Sequence, residues 1–85
     1  MGQKTSPSAA YPMFPESAEA VTPNDSTNLS SPSVVYVGTS GNVKVTTAAG
    51  DDVTFTNIQS GGVIPVRVKR VWSTGTTASN MVRIY

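Results

Sequence analysis

The most continuous hydrophobic pattern in the chain is the run VIPVRVKRVW, Val63 to Trp72. Val66 and Val68 share one side of an extended segment and Arg67 and Lys69 share the other, the period-2 alternation of a half-buried strand. After Lys69 the alternation slips, so that Arg70 takes the valine side and Val71 the charged side. A β-bulge near Lys69 and Arg70 repairs this, because one extra residue returns the later side chains to their faces. Pro65 has no N–H for a ladder, which predicts a sheet edge, or the first residues of a strand, at that point.

Shorter runs repeat the pattern. SVVYVG (33–38), NVKVTT (42–47), DVTFTN (52–57) and MVRIY (81–85) all read as strands rich in β-branched residues. In the second, Val43 and Val45 are expected inward, with Lys44 and Thr46 outward; in the third, Val53 and Phe55 share a face. The Gly-rich turns GTSG, AAGD and QSGG separate these runs, and STGTTASN (73–80) is the longest polar loop. The spacing predicts an all-β meander, a small antiparallel β-sandwich or partly open barrel of about five to six short strands.

Composition changes near Pro32. Five of the six prolines lie at or before it and six of the seven glycines after it, which divides the chain into an arm (1–32) and a β domain (33–85). The arm is rich in Pro, Ser, Thr and Asn and reads as extended or disordered. Glu16 to Val21 suggests at most a helical turn, bracketed by Pro15 and Pro23. Inside the arm, AYPMFP places Tyr11, Met13 and Phe14 among prolines. These side chains either pack on their own domain or anchor the arm on a neighbouring subunit.

Size favours the neighbour. A β region this short buries too little surface to be comfortably stable alone. With no cysteine there is no disulfide framework or thiolate metal site, so oligomerisation is the remaining common supplement. Exposed strand edges invite the same pairing.

The chain also has no histidine, which removes Ser-His and Cys-His nucleophilic catalysis and the usual zinc constellations. No catalytic residue, cofactor or metal ligand is assigned, and the reading is not an enzyme. Asp51 and Asp52 beside Gly50 are turn residues before they are cation ligands. GTSGNVK lacks the phosphate-loop pattern. Arg67, Lys69 and Arg70, followed by Trp72, form a basic strip with a stacking aromatic. Lys44 and Arg83 look isolated from it and the net charge is only +1, which argues against nucleic acid and for a strand face turned to solvent or to a neighbour. The expected assembly contacts are therefore Tyr11, Met13, Phe14, Arg67, Lys69, Arg70, Trp72 and the terminal Tyr85. No apolar run approaches a membrane span and MGQKTSPSAAYP has no secretory h-region, so no membrane partner is expected and synthesis is placed in the cytoplasm. Met1-Gly2 with Ser6 fits the myristoylation pattern, and two Asn-x-Ser sequons begin at Asn24 and Asn28; in a Ser/Thr-rich stretch such short matches arise by chance.

Over roughly residues 20 to 85 the chain resembles the small spike-base proteins of tailed bacteriophages and of phage-like gene transfer agents. The resemblance rests on YVG (36–38), GNVKV (41–45), GDDVTFT (50–56), GVIPVRVKRV (62–71) and TGTTA (74–78). PVRVKRV followed by TGTTA is the specific pair. It implies a virion structural protein on the capsid surface, a head decoration or spike base at a vertex. The implied partners are further copies of itself, most naturally as a homopentamer, a major capsid protein beneath and a spike or fibre protein above. It carries over no catalytic residue. Two other readings stay open: a tail or baseplate component, and a small β domain that binds glycan or nucleic acid.

Overall fold

The computed structural model describes residues 15–85, and its strands follow the β-branched runs closely. They are β1 (Ala18–Ala20), β2 (Ser33–Thr39), β3 (Gly41–Thr47), β4 (Asp52–Ile58), β5 (Gly62–Val71) and β6 (Ser79–Ile84). All six join one antiparallel sheet in the order β1-β6-β2-β5-β3-β4. The all-β expectation holds, as an open sheet of the partly open barrel type. The meander does not: among the described residues β3 and β4 form the single pairing of consecutive strands, and the other ladders join segments distant in sequence. β1 replaces the expected helical turn. Its Ala18, Glu19 and Ala20 pair with Ile84, Arg83 and Val82, and this tertiary ladder overrides a weak local preference.

The bulge sits where the alternation slips. Val45 pairs with Val71 and Thr46 with Arg70, but Thr47 pairs with Val68, so Lys69 is the additional residue on β5. Val68 and Val71 are both buried as a result. A second irregularity corrects one expectation. Val35 pairs with Ile64 and Ser33 with Val68, which leaves Pro65, Val66 and Arg67 opposite the lone Val34. Val66 is therefore 38 % exposed instead of sharing the core with Val68. β5 is internal in the strand order, but its ladder to β3 covers only Val68 to Val71 and its ladder to β2 is interrupted at Pro65, so Pro65 has the open side expected of it and its missing N–H costs no strand pair.

The core gathers Val35 and Val37, Val43 and Val45, Ile64, Val68 and Val71, with Met81 and Ala78 at its rim. Phe55 and Ile58 pack against it from β4. Val21 and Leu29 pack against it from the segment between β1 and β2. That segment, 21–32, works as a strap across the sheet. β5 runs for ten residues and β2 for seven, so the last carbonyls of β5 need donors from elsewhere. The strap supplies them: Leu29 N–H donates to Lys69 O at 2.8 Å and Asn24 N–H to Val71 O at 2.9 Å. Ser73–Ala78 plays the matching role for β3, with Thr77 N–H and Ala78 N–H donating to Asn42 O at 2.8 and 3.1 Å. Close packing at Gly38 completes the β2–β6 pairing. A Cβ there would strike the carbonyl oxygen of Asn80, which lies opposite in left-handed backbone at φ 55°.

Candidate functional site

Two side-chain clusters stand out, both built on strap residues that meet strands. The first surrounds Trp72, at the end of β5. Its indole N–H donates to Thr46 Oγ1 at 2.9 Å, and Thr46 donates in turn to Asp52 Oδ1 at 2.6 Å. Thr46, expected outward, is buried because this relay draws it under the indole. Lys44 Nζ stands 4.4 Å from the ring centroid and Arg70 Cζ 5.2 Å, both within cation–π range. Lys44 thus belongs to the cluster from which it looked isolated.

Arg70 also ties the strap down. Its Nε donates to Asn28 Oδ1 at 2.9 Å and its Nη1 to Asp25 O at 3.1 Å. The Asp25 carboxylate closes the loop after Trp72. It accepts from Ser73 N–H and Thr74 N–H, both at 2.8 Å, and from the Thr74 hydroxyl. The Thr74 hydroxyl is the main reason its carboxyl is held below the ordinary value of 3.8, with the backbone donors and Lys44 adding to the effect. Asn24 folds the strap locally by accepting from Ser26 N–H and Thr27 N–H. Both sequon asparagines thus have structural partners.

The second cluster is centred on Arg83, which looked isolated in the sequence and is 2 % exposed in the fold. All five guanidinium N–H groups are matched. Nε donates to Ser33 Oγ at 2.9 Å, and Nη1 to Glu19 Oε1 and Ser30 Oγ, both at 2.9 Å. Nη2 donates to Ser31 O at 3.1 Å and Ser31 Oγ at 2.7 Å. The Tyr85 ring lies 3.7 Å from Arg83 Cζ. Tyr85 also closes β1: its carbonyl accepts from Glu16 N–H and Ser17 N–H, and its N–H donates to Ser17 O.

Of the expected assembly contacts, the fold brings Arg70 and Trp72 together and sets Tyr85 apart, against Arg83. Arg67 is exposed and donates to Pro32 O at 3.4 Å, and Lys69 is half-buried at the bulge. Tyr11, Met13 and Phe14 lie outside the described residues. The strip thus links strap to sheet, and the Trp72 ring is already covered by the chain's own cations. Asp51 is a turn residue: its N–H donates to Thr47 Oγ1 and its carboxylate accepts from the Thr47 hydroxyl, both at 3.1 Å. Among the described residues no group of three or more acidic, His or Cys side chains stands close enough to hold a metal ion.

A surface that the sequence reading overlooked lies on the outer face of β5-β2-β6-β1. Val63, Tyr36, Val82 and Ala20 face one another across these four strands in one row. Val34, Ile84 and Ala18 form the next. Tyr36 is 38 % and Val63 50 % exposed. Alternation along each strand was the available signal, since inward Val35, Val37 and Met81 imply outward Val34, Tyr36 and Val82.

No family model and no curated protein matches the chain. A solved structure does. A chain in the capsid of a native gene transfer agent particle, computed with C5 symmetry, is 36 % identical. The match covers 84 % of the present chain and 83 % of that one, with a TM-score of 0.72.

Proposed function

The chain belongs to the same family as that component of a gene transfer agent capsid, and on this premise we propose that it is a capsid-surface subunit, a head decoration or spike base. The observation that carries the proposal is the similarity to a capsid chain over most of both sequences. In this role the protein is non-enzymatic. It assembles with copies of itself, sits on a major capsid protein and holds a spike or fibre. The C5 symmetry with which the related capsid was computed is compatible with a ring of five at a vertex. The physical character of the molecule supports the reading. Its conspicuous polar clusters satisfy themselves internally, as in a scaffold, while an apolar sheet face is left outward. In this reading the segment ahead of β1 is the assembling arm and the sheet is the body.

The test compares particles made with and without the protein by electron cryomicroscopy. Loss of vertex density together with the head spike is the expected result. Intact vertices with a missing tail or baseplate feature would move the protein to the tail.

A further inference from the structure

The outer face described above reverses the usual order of a small sheet. Its six positions on β1, β6 and β2, namely Ala18, Ala20, Val82, Ile84, Val34 and Tyr36, include no charged residue. β5 extends the apolar surface with exposed Val63, and with Pro65 and Val66 in the interrupted stretch opposite Val34. Contiguous exposed apolar surface of this kind marks an interaction site.

We infer that this face receives the Tyr11–Phe14 segment of a second copy of the chain, so that each subunit reaches onto the next. The inference rests on the capsid-subunit reading and names the surface that joins its copies. Fourteen residues precede the described part of the chain, and the last four, extended, span roughly 13 Å from Pro15, enough to meet a subunit packed against that end of the sheet. The last four of those residues are Tyr-Pro-Met-Phe, the matching chemistry for an uncharged face.

Direction decides between a subunit's own face and its neighbour's. The chain enters β1 beside Ile84 and runs toward Val82, so its own apolar rows lie ahead of the entry point, not behind it. Reaching them from upstream needs a reversal just before Ser17. There the N–H groups of Glu16 and Ser17 are both committed to Tyr85 O, at 2.9 and 2.8 Å. Pro12 and Pro15 bias Tyr11 and Phe14 toward extended backbone. A contact with the subunit's own face would need a turn that these bonds and prolines oppose, which favours the face of a neighbour. The contact is heterologous, one patch meeting a different one, and such contacts close into a ring when the rotation between successive copies closes.

Sedimentation velocity on full-length protein tests this with two variants. One carries Y11S, M13S and F14S; the other carries Y36S and V63S, with V63S alone as a second face variant should the pair unfold. Wild type is expected as an oligomer and each variant as a folded monomer. An equimolar mixture of the two is expected to give a 1:1 heterodimer that grows no further, since it holds one intact arm and one intact face. A wild-type monomer, variants that oligomerise like wild type, or a mixture that stays monomeric would each overturn the inference. If the face variants oligomerise normally yet fail to join particles, the face belongs to a capsid partner. That outcome overturns the arm contact and leaves the capsid-surface function standing.

Discussion

Along β6, Met81 and Arg83 point to one side of the sheet and Val82 and Ile84 to the other. The inner side buries a guanidinium and matches all five of its N–H groups with Glu19, Ser30, Ser31 and Ser33. The outer side leaves Tyr36 and Val63 in solvent. A small domain that wished only to be stable would do the opposite, because a buried charge is costly to desolvate and an apolar side chain gains from burial. The difference teaches that the two faces answer different demands. Arg83 fixes where the strap crosses: four of its five donors go to strap residues or β1 and the fifth to Ser33 at the start of β2. The outer face is unfinished until something covers it.

Breaking the inner face should have the largest effect. R83M keeps the volume but leaves the serines and Glu19 without their donor, and thermal unfolding should show a loss of about 2–3 kcal/mol. For a domain of this size that is a fall in Tm of roughly 10–20 °C. A Tm within a few degrees of wild type would mean that the strap is held by other contacts. G38A comes next, because its Cβ meets the Asn80 backbone and not a flexible side chain. Overpacking of this kind costs about 1–3 kcal/mol, readable from urea unfolding.

E19Q removes only the carboxylate end of the Arg83 pair. The Glu19 side chain is 61 % exposed, so solvent screening limits the loss to about 1 kcal/mol or less. The contrast between R83M and E19Q separates the hydrogen-bond seat from the charge pair.

Acid acts on the strap's other anchor. The Asp25 carboxyl is held below its ordinary value in the fold, so its contribution is complete above about pH 4. That contribution is lost as pH falls below 3.8 through the folded-state value. A wild-type stability profile should show this component and D25N should lack it; parallel profiles would remove Asp25 from the account. On the outer face, Y36S and V63S should each change monomer stability by no more than about 0.5 kcal/mol. A large loss from either would make the face structural and would erase the contrast between the two sides.

Much of this was legible in the chain. Alternation placed β2 to β6 within a few residues of their observed bounds, and the slip after Lys69 marked the bulge. What alternation does not carry is pairing at long range. Arg83 looked isolated because its partners lie between 50 and 64 residues away in sequence. Ala18–Ala20 has little β propensity and is a strand because β6 offers it a ladder. Val66 had the right period for the core, but the two-residue excess on β5 opposite β2 moved it outward. The apolar outer face is not visible in any one strand, and it emerges when strand order sets Val63, Tyr36, Val82 and Ala20 side by side.

Hydroxyl-radical footprinting of Tyr36, in the isolated protein diluted to monomer and in purified particles, tests the central claim most directly. The account predicts a ring that is labelled in the free subunit and protected on the particle. Equal labelling of Tyr36 in both states would contradict it, since the outer face would then remain open in the assembled virion.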